Sequence, residues 1–449
     1  MKMDFSVLAK YQTSGPRYTS YPTAIEFGED YKYNDFIKDL ESNENKPLSL
    51  YFHLPFCRSA CYFCGCNVIY TANEDKKERY LDYILRELDI LKTHLKTKKA
   101  IQMHFGGGTP TFFSAAQLEI LLKKINEIFE FLPDSELSCE IDPRFLNVEQ
   151  MSVFAKYGIN RISFGVQDFD PKVQKEIHRI QPYEITENAV KLARANGVKS
   201  INTDLIYGLP YQDLNSFSKT LETILKINPD RLAVFNYAHV PWIKKNMRKF
   251  DESTIPEAKT KLEILKHTAK FLGENGYKMI GMDHFAKPND ELFKALENGT
   301  LHRNFQGYTT KGGAILVGVG LTSIGEGLNY YAQNYKDLNL YETAIDNGKL
   351  PFHRGIKLNN DDLIRKAVIM SLMANFSLNI KEIEKEFKIV FWDYFNDAKE
   401  YLKTYAEFLQ ISDDEIKVNE TGTLLIRNIC MGFDAYMKNK GEKTFSKTL

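Results

Sequence analysis

The sequence lacks an excess of charge of either sign: Lys and Arg together number 59, and so do Asp and Glu. A chain without net charge produces no overall field that attracts nucleic acid or an anionic membrane, and we expect neither as a partner. The sequence also lacks any run of about 18 apolar residues, the length that a membrane-spanning helix requires. Its first residues lack the apolar core of a signal peptide. We therefore expect a cytoplasmic protein.

Cysteine is scarce, with 6 residues in 449, but most of the thiols fall within one short segment. These clustered thiols are Cys57, Cys61, Cys64 and Cys66. A disulfide framework is typical of small secreted domains, so clustering in a long chain predicts metal binding or redox chemistry. We interpret the two remaining cysteines, Cys139 and Cys430, as buried small apolar residues.

Short apolar runs alternate with longer amphipathic segments from about residue 48 to residue 325. The runs are LSLYFHL, IQMHF, LSCEI, RISFGV, INTDLIY, RLAVFNY, KMIGM and AILVGV. The segments between them, such as KKERYLDYILRELDILKTHLK, repeat apolar residues at intervals of three and four, which predicts helices. Strands alternating with helices are typical of a parallel sheet. We expect an α/β fold built on a partial (β/α)6-type parallel barrel.

The barrel accounts for the middle of the chain, and we predict three segments in all. Residues 1–47 are polar and rich in proline and form an N-terminal arm, a candidate substrate lid. Residues 48–350 form the barrel domain. Residues 351–449 form a mainly α-helical C-terminal domain, with helical periodicity in DDLIRKAVIMSLMANFSL and TGTLLIRNICMGFDAYMKNK and a hairpin at FLQISDDEIKVNE.

Unusual residues follow the predicted strands directly. The four thiols come after LSLYFHL, GGGTPT follows IQMHF, and EIDP ends the third strand. The carboxyl ends of parallel strands share one rim, where active sites of α/β folds lie. Gly106, Gly107 and Gly108 have no Cβ, so their backbone can approach a ligand closely. No GK[ST] follows them, which excludes a phosphate-binding P-loop.

The thiol loop reads CxxxCxxCxC, and two kinds of metal site are compatible with it. Three thiolates on one tight loop can hold three corners of an iron–sulfur cubane and leave the fourth iron without a protein ligand. A structural zinc site is the alternative, but it normally uses two separated ligand pairs, and the sequence has no second CxxC and no HxxxH. The spacing therefore favours a cluster with one open iron.

An aromatic residue, Phe63, precedes the third cysteine, and CxxxCxxC with this aromatic resembles the radical S-adenosylmethionine superfamily. Within that superfamily the chain is similar almost from end to end to the oxygen-independent coproporphyrinogen III oxidases (dehydrogenases). The segments that carry the resemblance are GPRYTSYPTA, HFGGGTPT, EIDPR, FGVQDF, TDLIYGLP, FNYAHVP, IGMDHFA, HRNFQGYTT and LLIRNICM. Departures are minor and concern Arg58, Ser59 and Ala60 in the thiol loop and the helical tail.

The resemblance implies one 4Fe-4S cluster and two molecules of S-adenosylmethionine (SAM). The implied cluster ligands are Cys57, Cys61 and Cys64, which leaves Cys66 as a surplus thiol. The residues implied for the first SAM are Tyr51, Phe63, Gly107, Glu140 and Ile324. Those implied for the second SAM are Gly108, Thr109, Gln167, Arg179, Asp204 and Ala238. Tyr51 and Gln306 are the candidate catalytic residues.

The resemblance also implies the reaction. An electron splits SAM, and the 5'-deoxyadenosyl radical takes hydrogen from the β-carbon of a propionate of coproporphyrinogen III. Loss of carbon dioxide and one electron leaves a vinyl group, and two such steps give protoporphyrinogen IX in haem biosynthesis. A low-potential electron donor such as flavodoxin or ferredoxin is the implied partner, and we expect a monomer.

Several assignments keep alternatives at this stage. A haem chaperone of the related radical SAM branch is the alternative function, although its members usually lack the last thiol of CxxxCxxCxC and the GPRYTSYP arm. Arg17 and Arg303 are candidates for the substrate carboxylates, because a guanidinium suits a carboxylate, or else surface residues. His53 either borders the pocket or satisfies backbone groups near the cluster.

Overall fold

The structure is a computed structural model that describes residues 3–43, 46–437 and 445. The described chain divides into two compact units. The first, here the barrel unit, comprises Phe27–His267 and Gly313–Lys357. The second, here the tail unit, comprises Met1–Glu26, Thr268–Gly312 and Leu358–Leu449.

The predicted three-segment division of the chain stays a prediction. Parts of two predicted segments lie outside the described residues: 1–2 and 44–45 of the arm, and 438–444 and 446–449 of the C-terminal domain.

The helices and strands follow the predicted alternation. The strands are β1 Leu48–Leu54, β2 Phe56–Cys57, β3 Ile69–Tyr70, β4 Lys99–Gly107, β5 Glu130–Ile141, β6 Arg161–Gln167, β7 Ser200–Tyr207, β8 Arg231–Asn236, β9 Lys278–Met279, β10 His284–Ala286, β11 His302–Asn304, β12 Gly307–Thr309, β13 Ile315–Val319, β14 Ile324–Glu326, β15 Tyr330–Asn334, β16 Phe352–Lys357, β17 Ser377–Asn379, β18 Leu409–Ile411 and β19 Glu415–Val418. The α-helices are α1 Tyr33–Glu41, α2 Glu74–His94, α3 Ala115–Ile128, α4 Val148–Lys156, α5 Pro171–Glu176, α6 Tyr183–Ala195, α7 Leu214–Ile227, α8 Ala258–Glu274, α9 Glu291–Glu297, α10 Leu338–Asp346, α11 Asn360–Asn375, α12 Ile380–Phe387, α13 Phe391–Tyr394, α14 Asn396–Leu402 and α15 Ile426–Met431.

The barrel unit is built on one sheet, in the order β16-β15-β14-β13-β1-β4-β5-β6-β7-β8. All neighbours from β13 to β8 are parallel. Among the described strands β8 does not pair with β13, so the barrel stays partial. The structure thus confirms the predicted α/β fold with a partial parallel barrel. It adds β14, β15 and β16, which pair antiparallel and were not predicted.

The two faces of the parallel strands differ in polarity. In β7, Ile201 and Leu205 are fully buried, whereas Asn202 and Asp204 on the opposite face are only half-buried. Side chains alternate between the faces of a strand, and the buried apolar face is the one that connecting helices cover in a parallel sheet. The other face is therefore the polar inner face of the barrel. A barrel interior packed with branched aliphatic side chains would leave no room for a ligand, and this one is not packed in that way.

Side-chain caps start the helices immediately after the rim loops. Ser114 and Gln117 form a capping box at α3, Asn147 and Gln150 form one at α4, and Asp213 caps α7. Each cap satisfies backbone N–H groups that the first turn of a helix leaves free. The loops between strand ends and caps are therefore short and well defined. None of the helices in the described part of the chain is both long and apolar enough to cross a membrane.

The tail unit packs residues 15–21 against residues 427–435. Arg427 is buried and donates to the carbonyl oxygens of Gly15 and Pro16. The Tyr18 hydroxyl donates to Asp434 at 2.9 Å, and both Tyr18 and Tyr21 are buried. The segment GPRYTSYPTA belongs to the arm that was predicted to be polar, yet it is partly buried. The hydroxyl groups of Tyr18 and Tyr21 have hydrogen-bond partners in the interior, which makes this burial possible.

The rest of the tail unit agrees with the prediction in part. The hairpin predicted within FLQISDDEIKVNE is present as antiparallel β18 and β19, and it acquires a third strand, β17, that was not predicted. Helix α11 lies where periodicity placed it. Helix α15 covers only Ile426–Met431, far less than the predicted segment.

We predict that a buried carboxyl in the barrel unit makes stability depend on pH. Glu87 of α2 is buried and accepts hydrogen bonds from Tyr341 (2.5 Å), the Gly320 N–H (2.9 Å) and Asn334 (3.0 Å). Burial outweighs these donors and raises its pKa to about 7 from 4.5. A carboxyl with a raised pKa contributes stability that is complete below its unfolded pKa and is lost as the pH rises through the folded value.

The test compares the free energy of unfolding of the unaltered protein and the Glu87→Gln variant, from urea titrations at about pH 5 and about pH 8. Between these pH values the unaltered protein should lose up to about 3 kcal/mol relative to the variant, because the amide does not ionise. Parallel pH profiles for the two proteins would contradict the raised pKa.

Candidate functional site

The contact between the ends of β1 and β4 forms the base of the site. The Gly108 N–H donates to the Leu54 carbonyl at 2.8 Å, and the Thr109 N–H donates to the Phe56 carbonyl at 2.9 Å. A Cβ on Gly108 would lie 2.6 Å from the Phe56 carbonyl oxygen, which is too close for any side chain. The GGG motif therefore lets one strand end pass directly beneath the segment that leads into the thiols.

The thiols lie in the loop that follows this contact. Cys57 ends β2, and its Sγ lies 3.4 Å from the Thr109 hydroxyl. Cys61 and Cys64 follow in a turn closed by a 3.1 Å hydrogen bond between their backbones. All three thiols are free and half-buried, and Cys66 is free and exposed.

The thiols can be compared with the two metal sites that the sequence allowed. A single zinc ion holds its ligands at about 2.3 Å from one centre. Within the described residues no three His, Cys, Asp or Glu side chains surround one such centre. In a cubane each thiolate binds a different iron, so the ligands stand farther apart. Three free, half-buried thiols on one loop can serve as the ligands of a cluster.

Two guanidinium groups flank the thiol of Cys61. Arg179 Nη1 donates to its Sγ at 3.6 Å, and Arg144 Nη2 lies at 3.9 Å. Asp142 binds both arginines, at 2.8 Å and 2.7 Å. Burial would raise the pKa of Asp142, but the charge of Arg179 and the hydrogen bond from Arg144 outweigh it, so the pKa is lowered. The two guanidinium groups therefore favour a negatively charged centre at this end of the loop.

The inner face of the barrel carries a connected set of polar side chains. The ring of Tyr51 stacks on His104, with 6.0 Å between centroids. His104 Nδ1 lies 2.7 Å from the Ser138 hydroxyl, and its Nε2 lies 3.3 Å from Glu140 Oε1. Strand register places Tyr51 opposite His104 and His104 opposite Ser138. The Glu140 side chain keeps 48% of its surface exposed, so it remains available to a ligand.

His53 joins this polar face to the thiol loop. Its Nε2 lies 2.9 Å from the Asn67 carbonyl, and its Nδ1 lies 3.0 Å from the Tyr51 hydroxyl. Burial lowers the pKa of His53, so the ring is neutral. A carbonyl only accepts, so Nε2 carries the proton and Nδ1 accepts from Tyr51. The bond to the Asn67 carbonyl ties down the end of the loop, and the bond to Tyr51 joins the loop to the polar face.

Gln167 and Arg179 meet at Gly165 on β6. A Cβ on Gly165 would lie 2.9 Å from Gln167 Nε2 and 3.2 Å from Arg179 Nη2. Arg179 also donates to the Gly165 carbonyl at 2.7 Å. Gln167 has a φ of 71°, in the left-handed region that few side chains adopt. On β7, Asp204 accepts from Ser163 at 3.0 Å.

The remaining predicted residues are placed less closely together. Phe63 packs against an apolar cluster that includes Ile177 and Phe250. Ala238 is half-buried beyond the end of β8, and Ile324 begins β14, next to β13. Gln306 belongs to the tail unit, in the hairpin of β11 and β12, where its two side-chain polar atoms are buried without a hydrogen-bond partner.

The barrel unit thus brings together most of the predicted residues. Those within one connected neighbourhood are Tyr51, Cys57, Cys61, Cys64, Gly107, Gly108, Thr109, Glu140, Gln167, Arg179 and Asp204. Two further side chains of this neighbourhood, His104 and Arg144, were not predicted. Both lie inside the motifs HFGGGTPT and EIDPR, next to residues that were predicted, so their position at a strand end was the available signal.

Comparison with known proteins agrees with this geometry. Residues 51–224 match the model of the radical SAM superfamily. The chain is 53% identical to the oxygen-independent coproporphyrinogen III oxidase of Helicobacter pylori (strain J99), over 100% of this chain and 99% of the relative. It is 44% identical to the Escherichia coli (strain K12) oxidase of the same name, over 99% and 98% of the two chains.

A solved structure gives the same result. The coproporphyrinogen III oxidase from Escherichia coli, described as a radical SAM enzyme, superposes with a TM-score of 0.93 at 43% sequence identity. The match covers 97% of this chain and 99% of that one. The chain therefore belongs to the oxygen-independent coproporphyrinogen III oxidase family of radical SAM enzymes.

Proposed function

We propose that this chain converts two propionate side chains of coproporphyrinogen III to vinyl groups without oxygen, giving protoporphyrinogen IX in porphyrin and haem biosynthesis. One observation carries the proposal: the superposition on the Escherichia coli coproporphyrinogen III oxidase over 97% of this chain. The full-length relatives carry the oxidase name. This favours the oxidase over the haem-chaperone alternative.

The proposed cofactors are one 4Fe-4S cluster on Cys57, Cys61 and Cys64, and SAM. When bound, they supply the electron and the carbon radical that removes hydrogen from the propionate. Tyr51, Phe63, Gly107, Glu140 and Ile324 form the proposed first SAM site. Gly108, Thr109, Gln167, Arg179, Asp204 and Ala238 form the proposed second one.

Several polar groups have roles that follow from their contacts. Glu140 is half-exposed on the inner face, and a carboxylate there suits the ammonium group of an amino-acid cofactor. His104 donates to Glu140 and orients it. Burial and the charge of Glu140 raise the pKa of Tyr51 well above its usual range, so Tyr51 remains a neutral donor. It donates to His53 and is held at one orientation.

The tail unit offers a site for the substrate carboxylates. Arg17, Arg303 and Arg427 lie close enough to affect one another: burial and then the charges of Arg17 and Arg303 lower the pKa of Arg427 to about 9. Asp283 is the acid of this group, and despite burial its pKa falls to about 2 beside His284, Arg303 and Arg17. Three guanidinium groups against one carboxylate leave an excess of positive charge, which suits a ligand with several carboxylates.

Arg303 and Gln306 are the groups with free bonding capacity in this site. Arg303 Nε and Nη1 and both side-chain polar atoms of Gln306 are buried without a hydrogen-bond partner. Buried polar groups that remain unpaired are costly, so a bound partner is expected. We propose that Arg303 and Gln306 bind a substrate carboxylate. Arg427 is engaged with the carbonyl groups of Gly15 and Pro16 and positions the segment before Arg17.

We further propose that a low-potential donor such as flavodoxin or ferredoxin supplies the electrons and that the chain acts as a monomer in the cytoplasm, without nucleic acid or membrane as partners. The cysteines are free thiols, as a reducing compartment maintains them. The charge balance, 59 against 59, supports the absence of nucleic acid and of an anionic membrane as partners.

The proposed function is tested by anaerobic reconstitution with iron and sulfide, followed by turnover with coproporphyrinogen III, SAM and a chemical reductant. Chromatography should show a mono-vinyl product and then protoporphyrinogen IX, with 5'-deoxyadenosine released alongside. Reactions without SAM are the control. Deoxyadenosine without any vinyl product would favour the chaperone alternative.

The ligand assignment makes a prediction for single thiol variants. Cys57→Ser, Cys61→Ser and Cys64→Ser should each remove most of the cluster's visible absorption and iron content, because each takes away one corner of the cubane. Cys66→Ser changes the fourth thiol of the same loop and is therefore the matched control. It should retain its iron. Equal loss of iron in all four variants would show that the assignment is wrong.

The carboxylate assignment makes a prediction for kinetics. Arg303→Ala should raise the KM for coproporphyrinogen III about 10- to 100-fold, the effect of losing a charge-assisted hydrogen bond. The rate of SAM cleavage without substrate should remain unchanged. Arg303→Lys, which keeps the charge but not the planar fork, should give an intermediate KM. An unchanged KM for Arg303→Ala would remove this residue from the substrate site.

A further inference from the structure

The most exposed large apolar side chains of the barrel unit lie in one turn beside the thiol loop. Trp242 is 69% exposed and Ile243 is 67% exposed. They occupy the tip of a segment, Val240–Lys249, that we call the tryptophan turn. Backbone N–H groups of Ile243 and Lys244 both donate to the Val240 carbonyl at 2.9 Å and close the turn. A single exposed apolar residue is common, but a tryptophan and an isoleucine side by side on a closed turn form a patch.

The turn is anchored from below, so its tip is held outward. Met247 and Phe250 are buried in the apolar cluster against which Phe63 packs. The Val240 N–H donates to the sulfur of Met247 at 3.3 Å. The exposure of Trp242 therefore does not arise from a loose segment that has failed to pack.

The tryptophan turn carries an excess of positive charge around the apolar tip. Lys244, Lys245, Arg248 and Lys249 are its charged residues, and no acidic residue occurs between 240 and 249. None of the four forms a salt bridge with the described acids. The two acids that follow, Asp251 and Glu252, lie outside the turn and form no ion pair with its four cations; Asp251 accepts from Ser253, and Glu252 pairs with His239. The patch is thus apolar at its centre and cationic at its rim.

The turn also contacts the thiol loop directly. Lys244 Nζ donates to the Cys66 carbonyl at 2.9 Å, and Asn246 donates to the Tyr70 hydroxyl at 2.8 Å. Lys249 Nζ lies 4.5 Å above the ring of Tyr62, which lies between Cys61 and Phe63. A protein bound at the turn would therefore lie next to the loop that holds the cluster.

We propose that the tryptophan turn is the docking surface for an acidic, low-potential redox protein that reduces the cluster. This inference rests on the proposed function, because it requires a cluster in the thiol loop. In the step, the docked donor loses one electron and the cluster gains it, with no bond formed or broken. The cationic rim attracts an acidic partner and speeds its encounter, and Trp242 with Arg248 supplies the residue types that dominate binding energy at interfaces.

An anionic membrane surface is the other partner that tryptophan beside lysines can bind. The contacts favour the redox protein, because Lys244, Asn246 and Lys249 tie the turn to the thiol loop, a connection that membrane binding would not use.

The binding test uses Trp242 as its own probe. The sequence contains only two tryptophans, so Trp392→Phe leaves Trp242 as the sole indole. In that background, the reconstituted protein is titrated anaerobically with flavodoxin and, separately, with a 4Fe-4S ferredoxin, at low and high salt. We expect the fluorescence of Trp242 to change on addition of at least one carrier. The Kd for that carrier should rise at high salt.

Charge reversal at the rim supplies the decisive comparison. The double variant Lys245→Glu/Arg248→Glu should weaken carrier binding at least tenfold. It should also slow the reduction of the cluster by the reduced carrier by a similar factor. The rate of reduction is measured from the loss of the cluster's visible absorption. Lys123→Glu/Lys219→Glu, with the same charge change on exposed sites of α3 and α7, should leave both quantities unchanged. Reduction by dithionite, which needs no docking, should be equal in all three proteins.

These outcomes separate the inference from the proposed function. Vinyl product formed with dithionite by the rim variant, together with slow reduction by the carrier, supports both. Failure of every protein to form vinyl product with dithionite counts against the proposed function alone. Three outcomes would overturn the docking proposal. The first is unchanged carrier binding in the rim variant, and the second is no binding of either carrier to the unaltered protein. The third is a Trp242 response to anionic phosphatidylglycerol vesicles but to neither carrier.

Discussion

The site depends on one close backbone contact, where the glycine end of β4 passes beneath the end of β1. An added Cβ on Gly108 would fall 2.6 Å from the Phe56 carbonyl oxygen, and one on Gly107 would fall 2.7 Å from the imidazole ring of His53. Two backbone hydrogen bonds then fix the segment from which the thiol loop begins. The thiol loop therefore has a defined position in space, at the rim where the polar inner face ends.

Charge is distributed around the loop in a way that suits a reducible, anionic centre. Arg144 and Arg179 lie beside the thiol of Cys61, and Asp142 holds both of them in place. Lys244 reaches the far end of the loop through the Cys66 carbonyl. Cations near a thiolate stabilise its negative charge and that of an anionic metal centre that the thiolate holds. The single acid among these contacts serves to orient the arginines, so the balance at the loop stays positive.

Much of this could be predicted from local sequence, and the remainder required the tertiary structure. The parallel strands were predicted because INTDLIY and similar short apolar runs alternate with longer amphipathic segments, and GGG and the thiols stand immediately after such runs. The antiparallel strands β14 to β16 are short and lack such alternation. The pairing of Arg179 with Cys61 spans 118 positions, a separation on which no local pattern reports. The burial of Tyr18 and Tyr21 was missed for the same reason, since their partners lie more than 400 positions away.

The central claim is that three thiolates of one loop hold a cubane with a single open iron, to which SAM binds. The most direct measurement is Mössbauer spectroscopy of the 57Fe-reconstituted protein before and after SAM is added under anaerobic conditions. We expect one iron site to change its isomer shift on addition of SAM while the other sites keep theirs, as a fourth ligand position filled by the cofactor requires. A spectrum that SAM leaves unaltered, or a protein that retains zinc in place of iron, would contradict the claim.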